Sequence, residues 1–157
     1  MTGQLRLAYR VLRAIARFGL RNAKVLDPGQ STRLPQPEPP PRLPPDRLRL
    51  HLFGASFGSQ PQADLFCYGD GDPDRPTPLN RALEGAFIDP AEVEVVVDAV
   101  EARLREFLDP AEADDVLLRL GGDNSLIILT EHAFGGLAYA LDDTETLTYL
   151  GPLVVDV

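Results

Sequence analysis

The sequence has few of the residue types on which disulfide-stapled and metal-centred domains depend. Its 157 residues include one cysteine, Cys67, so no intrachain disulfide can form, and zinc sites of the Cys₄ or Cys₂His₂ type are excluded. The two histidines, His51 and His132, form no His-x-His or His-x-x-x-His pair. No run of about 18 uninterrupted apolar residues occurs, which argues against a transmembrane helix. We therefore expect neither a metal centre nor a bound cofactor.

The N-terminal third of the chain has few acidic residues, and the rest of the chain has few basic ones. Residues 1–49 contain ten bases and three acids, a net charge of +7, whereas residues 50–157 contain five bases and 21 acids, a net charge of −16. This asymmetry predicts a basic arm attached to an acidic body. Because contacts to phosphate need Lys and Arg, we do not expect the acidic body to bind nucleic acid. The apolar fraction of 44% excludes wholesale disorder.

Residues 1–26 contain no acid and six regularly spaced bases. At about 100° per residue, the six bases fall within an arc of about 80° on a helix. Apolar side chains occupy the opposite side, so the pattern predicts a basic amphipathic helix over residues 1–27, which Asp27, Pro28 and Gly29 end. The residues expected to bind a partner are Arg6, Leu7, Arg10, Val11, Arg13, Ile15, Arg17, Phe18, Arg21 and Lys24.

Three surfaces are candidates for the contact of this helix. It can pack on its own acidic body, dock into an acidic or apolar groove of a partner protein, or lie on an anionic membrane surface. Arginine at every third or fourth position interrupts the apolar stretch that a secretory signal needs. We therefore expect no classical secretion, and a location in the cytoplasm or within a large particle.

Residues 28–46 predict a proline-rich extended linker. Eight of the 15 prolines lie between residues 28 and 45. Proline fixes φ and lacks the N–H group, so this stretch favours polyproline II over helix or sheet. At about 3.1 Å per residue, such a spacer reaches roughly 55 Å.

Residues 47–157 predict an acidic α+β domain of two layers. Alternating leucines predict a strand over residues 47–53, with its basic side chains on the outer face, and residues 63–68 predict a second strand. Residues 79–87 predict a short helix. Asp89, followed by Pro90 and Glu92, has the pattern of a helix N-cap. Apolar residues then recur with helical spacing up to residue 108. We expect this to be the one main amphipathic helix of the domain.

The remainder of the domain predicts an antiparallel β-meander. Residues 109–112 repeat the sequence of residues 89–92 and predict a capped short turn. Apolar stretches separated by glycine and aspartate turns predict strands at 116–120, 126–130, 137–141 and 146–150, with an edge strand at 153–157. One amphipathic helix against such a sheet gives the two layers.

One motif matches a catalytic pattern. Residues 54–58 read Gly-x-Ser-x-Gly after a predicted strand, and His132 lies downstream, as in a hydrolase whose nucleophile would be Ser56. The residues that follow do not predict an amphipathic helix, and about 110 residues are too few for the hydrolase sheet. We interpret the match as fortuitous and expect no catalytic residue.

The remaining candidate motif is a loop of alternating aspartates. Asp70, Asp72 and Asp74 have the spacing of a calcium loop, but Arg75 and Arg81 stand where an EF-hand has glycine and glutamate. We interpret the loop as a solvated turn, with a weak cation site as the alternative.

Together these features predict a non-enzymatic accessory subunit. Its basic helix and proline-rich arm would dock the acidic domain onto a larger assembly, such as a viral or phage-like particle or a membrane complex. Three alternatives stay open: a peripheral membrane protein anchored by the helix, an acidic immunity- or inhibitor-type protein that binds through its −16 body, and a small hydrolase using Ser56 and His132.

Overall fold

A computed structural model of the chain describes residues 40–72 and 74–156. The predicted N-terminal helix, with its ten partner-binding residues, and most of the proline-rich linker lie outside the described residues. The α-helices of the described residues are α1 (Gln60–Tyr68), α2 (Pro78–Ala82), α3 (Val100–Leu104) and α4 (Pro110–Leu120). The strands are β1 (Arg47–Ala55), β2 (Val93–Val97), β3 (Ser125–Thr130) and β4 (Thr148–Asp156), and short 3₁₀ helices span Pro90–Glu92 and Glu131–Phe134.

The four strands form one antiparallel sheet in the order β2-β3-β1-β4. The central strands β1 and β3 run in register from Leu50 opposite Thr130 to Ala55 opposite Ser125. Helices and an antiparallel sheet confirm the α+β class. The predicted meander is wrong, because β1, the first strand along the chain, lies between β3 and β4.

Both faces of the sheet carry a hydrophobic core, so the domain has three layers and the predicted two-layer arrangement is wrong. On one face, Phe53 and Ile127 pack in a cluster with residues of α1 and α2. On the other face, Leu52 and Leu126 pack in a cluster with residues of α3 and α4. The prediction was wrong because residues 49–55 of β1 are buried on both faces of the strand. The buried residues include Arg49 and His51, which were expected to face solvent.

The predicted main helix over residues 89–108 is wrong. Asp89 does cap a helical start, but the helix is a single 3₁₀ turn, and Val93–Val97 follows it as the edge strand β2. Four of the five residues in that run are valine, whose β-branched side chain favours the extended chain, and this local preference overrides the helical period. Asp98, at φ 62°, ends the strand.

Two predicted strands are helices. Residues 63–68 lie in α1, because the Ser59 side chain accepts a hydrogen bond from the Gln62 N–H and Pro61 stands in the first turn. Residues 116–120 end α4, and the predicted short turn at residues 109–112 is the start of this 11-residue helix. There Asp109 and Glu112 form a complete capping box.

The other local predictions divide between confirmed and wrong. The strands at 47–53 and 126–130 are confirmed as β1 and β3, and the short helix predicted at 79–87 is confirmed only in its first part, because α2 ends at Ala82. Residues 137–141 form no strand. The two last predicted strands are one edge strand, β4, which pairs with β1 across an irregularity between Leu52 and Phe53.

Candidate functional site

Arg49 joins the described part of the proline-rich linker, residues 40–46, to the sheet. Its side chain lies on β1 and is 11% exposed, and its Nη1 donates to Glu131 Oε2 at 3.2 Å. Its Nη2 donates to the backbone oxygen of Pro41 at 3.1 Å. Nearer the strand, the Arg47 N–H donates to the Pro44 oxygen at 3.1 Å. We call Arg49, Glu131 and Pro41 the arm anchor, because they hold the point where the linker meets the domain.

His51 lies two residues along β1 from Arg49 and is buried between two tyrosines. Its Nδ1 is 2.9 Å from the Tyr149 hydroxyl and its Nε2 is 2.8 Å from the Tyr139 hydroxyl. A neutral imidazole has one N–H and one lone pair, so one tyrosine accepts from the ring and the other donates to it. Phe134 stacks on Tyr139 at a centroid distance of 3.8 Å and meets His51 edge-on. Both ring nitrogens are thus occupied by a fixed structural network.

Burial sets the protonation state of this network. It lowers the pKa of His51 to about 4, with the positive charge of Arg49 as a second cause. It also raises the pKa of Tyr149 to about 12 and that of Tyr139 above its usual value. His51 is therefore neutral at pH 7, and protonating it would place a second cation beside Arg49.

We expect acid to destabilise the domain through His51. The folded-state pKa of about 4 lies below the unfolded value of 6.5, so the unfolded chain binds the proton more tightly. The free energy of unfolding then falls by about 2 kcal/mol from this residue as the pH drops from about 7 to about 5. Urea titrations at several pH values measure it. His51→Gln should flatten this part of the profile, whereas His132→Gln, at an exposed position, should keep it. Equal profiles for His51→Gln and wild type would contradict the assignment.

The structure separates the two residues of the candidate hydrolase. Ser56 follows β1 at the end where Ala55 faces Ser125, whereas His132 follows β3 beyond Thr130. The length of β3 between those ends is about 17 Å. Ser56 Oγ instead donates to Asp123 Oδ1 at 2.8 Å. A helix does follow the Gly-x-Ser-x-Gly motif, contrary to the expectation from the sequence, but no histidine accompanies it.

Asn124 is the centre of the polar group at this end of the sheet. Its Oδ1 accepts from the Phe57 N–H at 3.0 Å and from the Ser125 hydroxyl at 2.8 Å. Its Nδ2 donates to the Phe57 oxygen at 2.8 Å and to Asp98 Oδ1 at 3.1 Å. One side chain thereby ties the β1–α1 loop to the ends of β2 and β3.

The other candidate residues form no reactive centre among the described residues. Cys67 lies on the buried side of α1 and is 1% exposed, and burial raises the pKa of its thiol to about 12. Asp70 pairs with Arg75 at 2.9 Å. Within residues 40–72 and 74–156, no group of three or more His, Cys, Asp or Glu could hold a metal ion, and no helix has the length and hydropathy of a membrane span.

The surface of the described domain includes the following two clefts. One, of about 560 Å³, lies between α2 and residues 140–146 and has an acidic wall. The other, of about 470 Å³, lies over the ends of β1, β3 and β4 beside Phe107. Neither the clefts nor the arm anchor were predicted from the sequence. The one signal for the anchor was an arginine and a histidine alternating with leucines on a strand.

Comparisons with models of protein families, with curated protein sequences and with solved structures give no match to this chain.

Proposed function

We propose that this protein is a non-enzymatic accessory subunit that docks its acidic domain onto a larger assembly through the basic residues 1–27 and the proline-rich arm. The partner would be a protein surface with acidic and apolar character, which complements the basic and apolar faces of the predicted helix.

The arm anchor is the observation that carries this proposal. Arg49 holds both the Pro41 backbone and Glu131, so the linker leaves the domain from a fixed point on a central strand. Fixing Pro41 shortens the length of linker that lies between the arm and its point of attachment on the domain. It also limits the volume the domain explores, which raises the effective concentration of any second contact.

The charge distribution and the polar groups of the domain support the same proposal. Residues 1–46 carry a net charge of +5 and the domain, residues 47–157, a net charge of −14, so the arm and the domain favour surfaces of opposite charge. The Ser56 hydroxyl and both ring nitrogens of His51 are bonded to neighbouring side chains, which suits a structural role for each.

The test is the sedimentation of the tagged full chain in an extract of its source cells. Wild type should travel with a large assembly. Arg13→Gln/Arg17→Gln should remain near the top of the gradient, because losing two arginines from a docked basic stripe weakens binding about thirtyfold. The matched control is Arg75→Gln/Arg105→Gln, which removes the same charge from exposed positions on the domain.

Three results would overturn the proposal in favour of its alternatives. Slow sedimentation of wild type would contradict an assembly. Unchanged fast sedimentation of the arm variant would place the contact on the acidic domain, as in an inhibitor-type protein. Flotation of wild type, but not of the arm variant, with vesicles containing phosphatidylserine would indicate a peripheral membrane protein.

A further inference from the structure

The cleft beside α2 combines an apolar floor with an acidic wall. Its volume is about 560 Å³, and Phe66 of α1, Leu83 and Ala140 contribute apolar surface to it. Its charged lining consists of four acids and one base: Glu84, Asp142, Asp143, Glu145 and Arg81. The cleft therefore has the size of a binding site, and its lining contains more acids than bases.

Hydrogen bonds within the loop of residues 142–147 hold the acidic wall in place. The Thr144 hydroxyl accepts from the N–H groups of Thr146 and Leu147, at 3.2 and 3.0 Å, and the Thr144 N–H donates to the Leu147 oxygen at 2.9 Å. The Asp143 carboxylate accepts from the Tyr149 N–H at 2.9 Å, and Leu147 is fully buried. The wall is thus positioned before any ligand arrives, which lowers the ordering cost of binding.

Two of the acids in the cleft still lack a counter-charge. Glu84 and Glu145 are exposed, and neither forms an ion pair with a described residue. The second cleft differs in this respect. There Glu94 is paired with Arg103 at 2.6 Å and Asp156 with Arg47 at 3.2 Å, and the remaining acid of the lining, Glu92, accepts a hydrogen bond from the Thr130 hydroxyl.

We propose that the cleft beside α2 binds a basic peptide segment of a partner protein. Its apolar side chains, such as leucine, would lie on the floor at Phe66 and Leu83, and its arginines or lysines would face Glu84 and Glu145. The acidic side chains at the rim favour a cationic ligand, and the apolar floor favours a ligand that also has apolar side chains. This contact is separate from the arm and gives the subunit a second point of attachment.

The test titrates a fluorescein-labelled peptide, Ser-Arg-Arg-Leu-Leu-Arg-Arg-Ser, with the full chain. Glu84→Gln/Glu145→Gln should weaken binding about tenfold, since each exposed ion pair contributes up to about 1 kcal/mol. Ala140→Arg, at an exposed position on the cleft, should abolish binding by filling the site and adding a like charge. A peptide with serine in place of both leucines should also lose saturable binding.

The matched control removes two acids outside the cleft. Asp46→Asn/Glu101→Gln gives the same change in net charge at exposed positions and should leave the affinity within about twofold. An equal loss in this variant would mean a non-specific attraction to an acidic protein and would overturn the proposal. A dimer of the chain that Ala140→Arg dissociates would also overturn it, because the occupant would be a second copy.

The arm variant separates this proposal from the proposed function. Arg13→Gln/Arg17→Gln should bind the peptide as wild type does, and Ala140→Arg should still sediment with the assembly through the arm. Loss of peptide binding in the arm variant would contradict a site confined to the cleft. A third outcome is that wild type binds no peptide while only the arm variant fails to sediment with the assembly. This result would contradict the peptide site in the cleft and would still support the proposed function of the arm.

Discussion

Replacing Arg49 with methionine is expected to lower the free energy of unfolding by about 3 kcal/mol, since removing one partner of a largely buried ion pair leaves an uncompensated charge. Methionine keeps much of the apolar stem but cannot donate. Glu131, whose side chain is 21% exposed, would lose its cation, and the Pro41 oxygen would lose its donor. Urea denaturation followed by far-ultraviolet circular dichroism measures the change.

Two further variants show whether this loss belongs to the ion pair. Glu131→Gln in the Arg49→Met background should recover part of the stability, because it removes the stranded carboxylate. Arg75→Gln breaks the exposed pair with Asp70 and should cost less than about 0.5 kcal/mol. If Arg49→Met costs no more than Arg75→Gln, the arm anchor does not hold the linker to the domain.

The elements that were predicted correctly are those whose signal is local. The leucines of β1 alternate without interruption, and β3 is a short apolar run between turn residues, so both read as strands. The α+β class is correct although the main helical period on which it rested, residues 89–108, forms a strand and only one short α-helix, α3. The layers could not be predicted, because alternation marks which side of β1 is apolar and not whether the basic side is also covered.

The wrong elements are short segments in which two local preferences compete. Residues 63–68 are apolar enough for a buried strand, and only the Ser59 cap and Pro61 indicate a helix start. Residues 93–97 satisfy a helical period and a strand preference at once. Contacts between residues distant in sequence support both outcomes, because Tyr68 and Gln60 of α1 donate to the backbone oxygens of Val93 and Val95 on β2.

The Arg49–Glu131 pair of the arm anchor and the contacts of His51 could not be predicted, because the residues that meet are far apart in sequence. Arg49 and Glu131 are 82 residues apart, and His51 and Tyr149 are 98 residues apart. Their meeting depends on β1 entering the sheet between β3 and β4, and no local pattern specifies that order. The amino-acid sequence holds one clue that is clear only in hindsight: two ionisable residues lie inside an apolar strand, where burial forces them to find partners.

Replacing Asn124 with alanine is expected to lower the free energy of unfolding by about 3 kcal/mol. The side chain makes four hydrogen bonds, and each partly buried bond lost contributes about 1 kcal/mol or somewhat less. The substitution also removes the hydrogen bond to the Asp98 carboxylate. Asp98 has a φ of 62°, a left-handed backbone conformation that glycine and short polar residues adopt at the lowest cost. Urea denaturation measures the loss.

The matched control for Asn124 is its neighbour in the same polar group. Ser56→Ala removes one exposed hydrogen bond, to Asp123, and should cost less than about 1 kcal/mol. Asn124→Asp keeps the acceptor oxygen but loses the donor and sets a second carboxylate beside Asp98, so its cost should approach that of alanine and shrink at low pH. Equal costs for Ser56→Ala and Asn124→Ala would mean that the strand ends hold together without this side chain. The loop after β1 would then owe its position to the packing of Phe57 against Phe66.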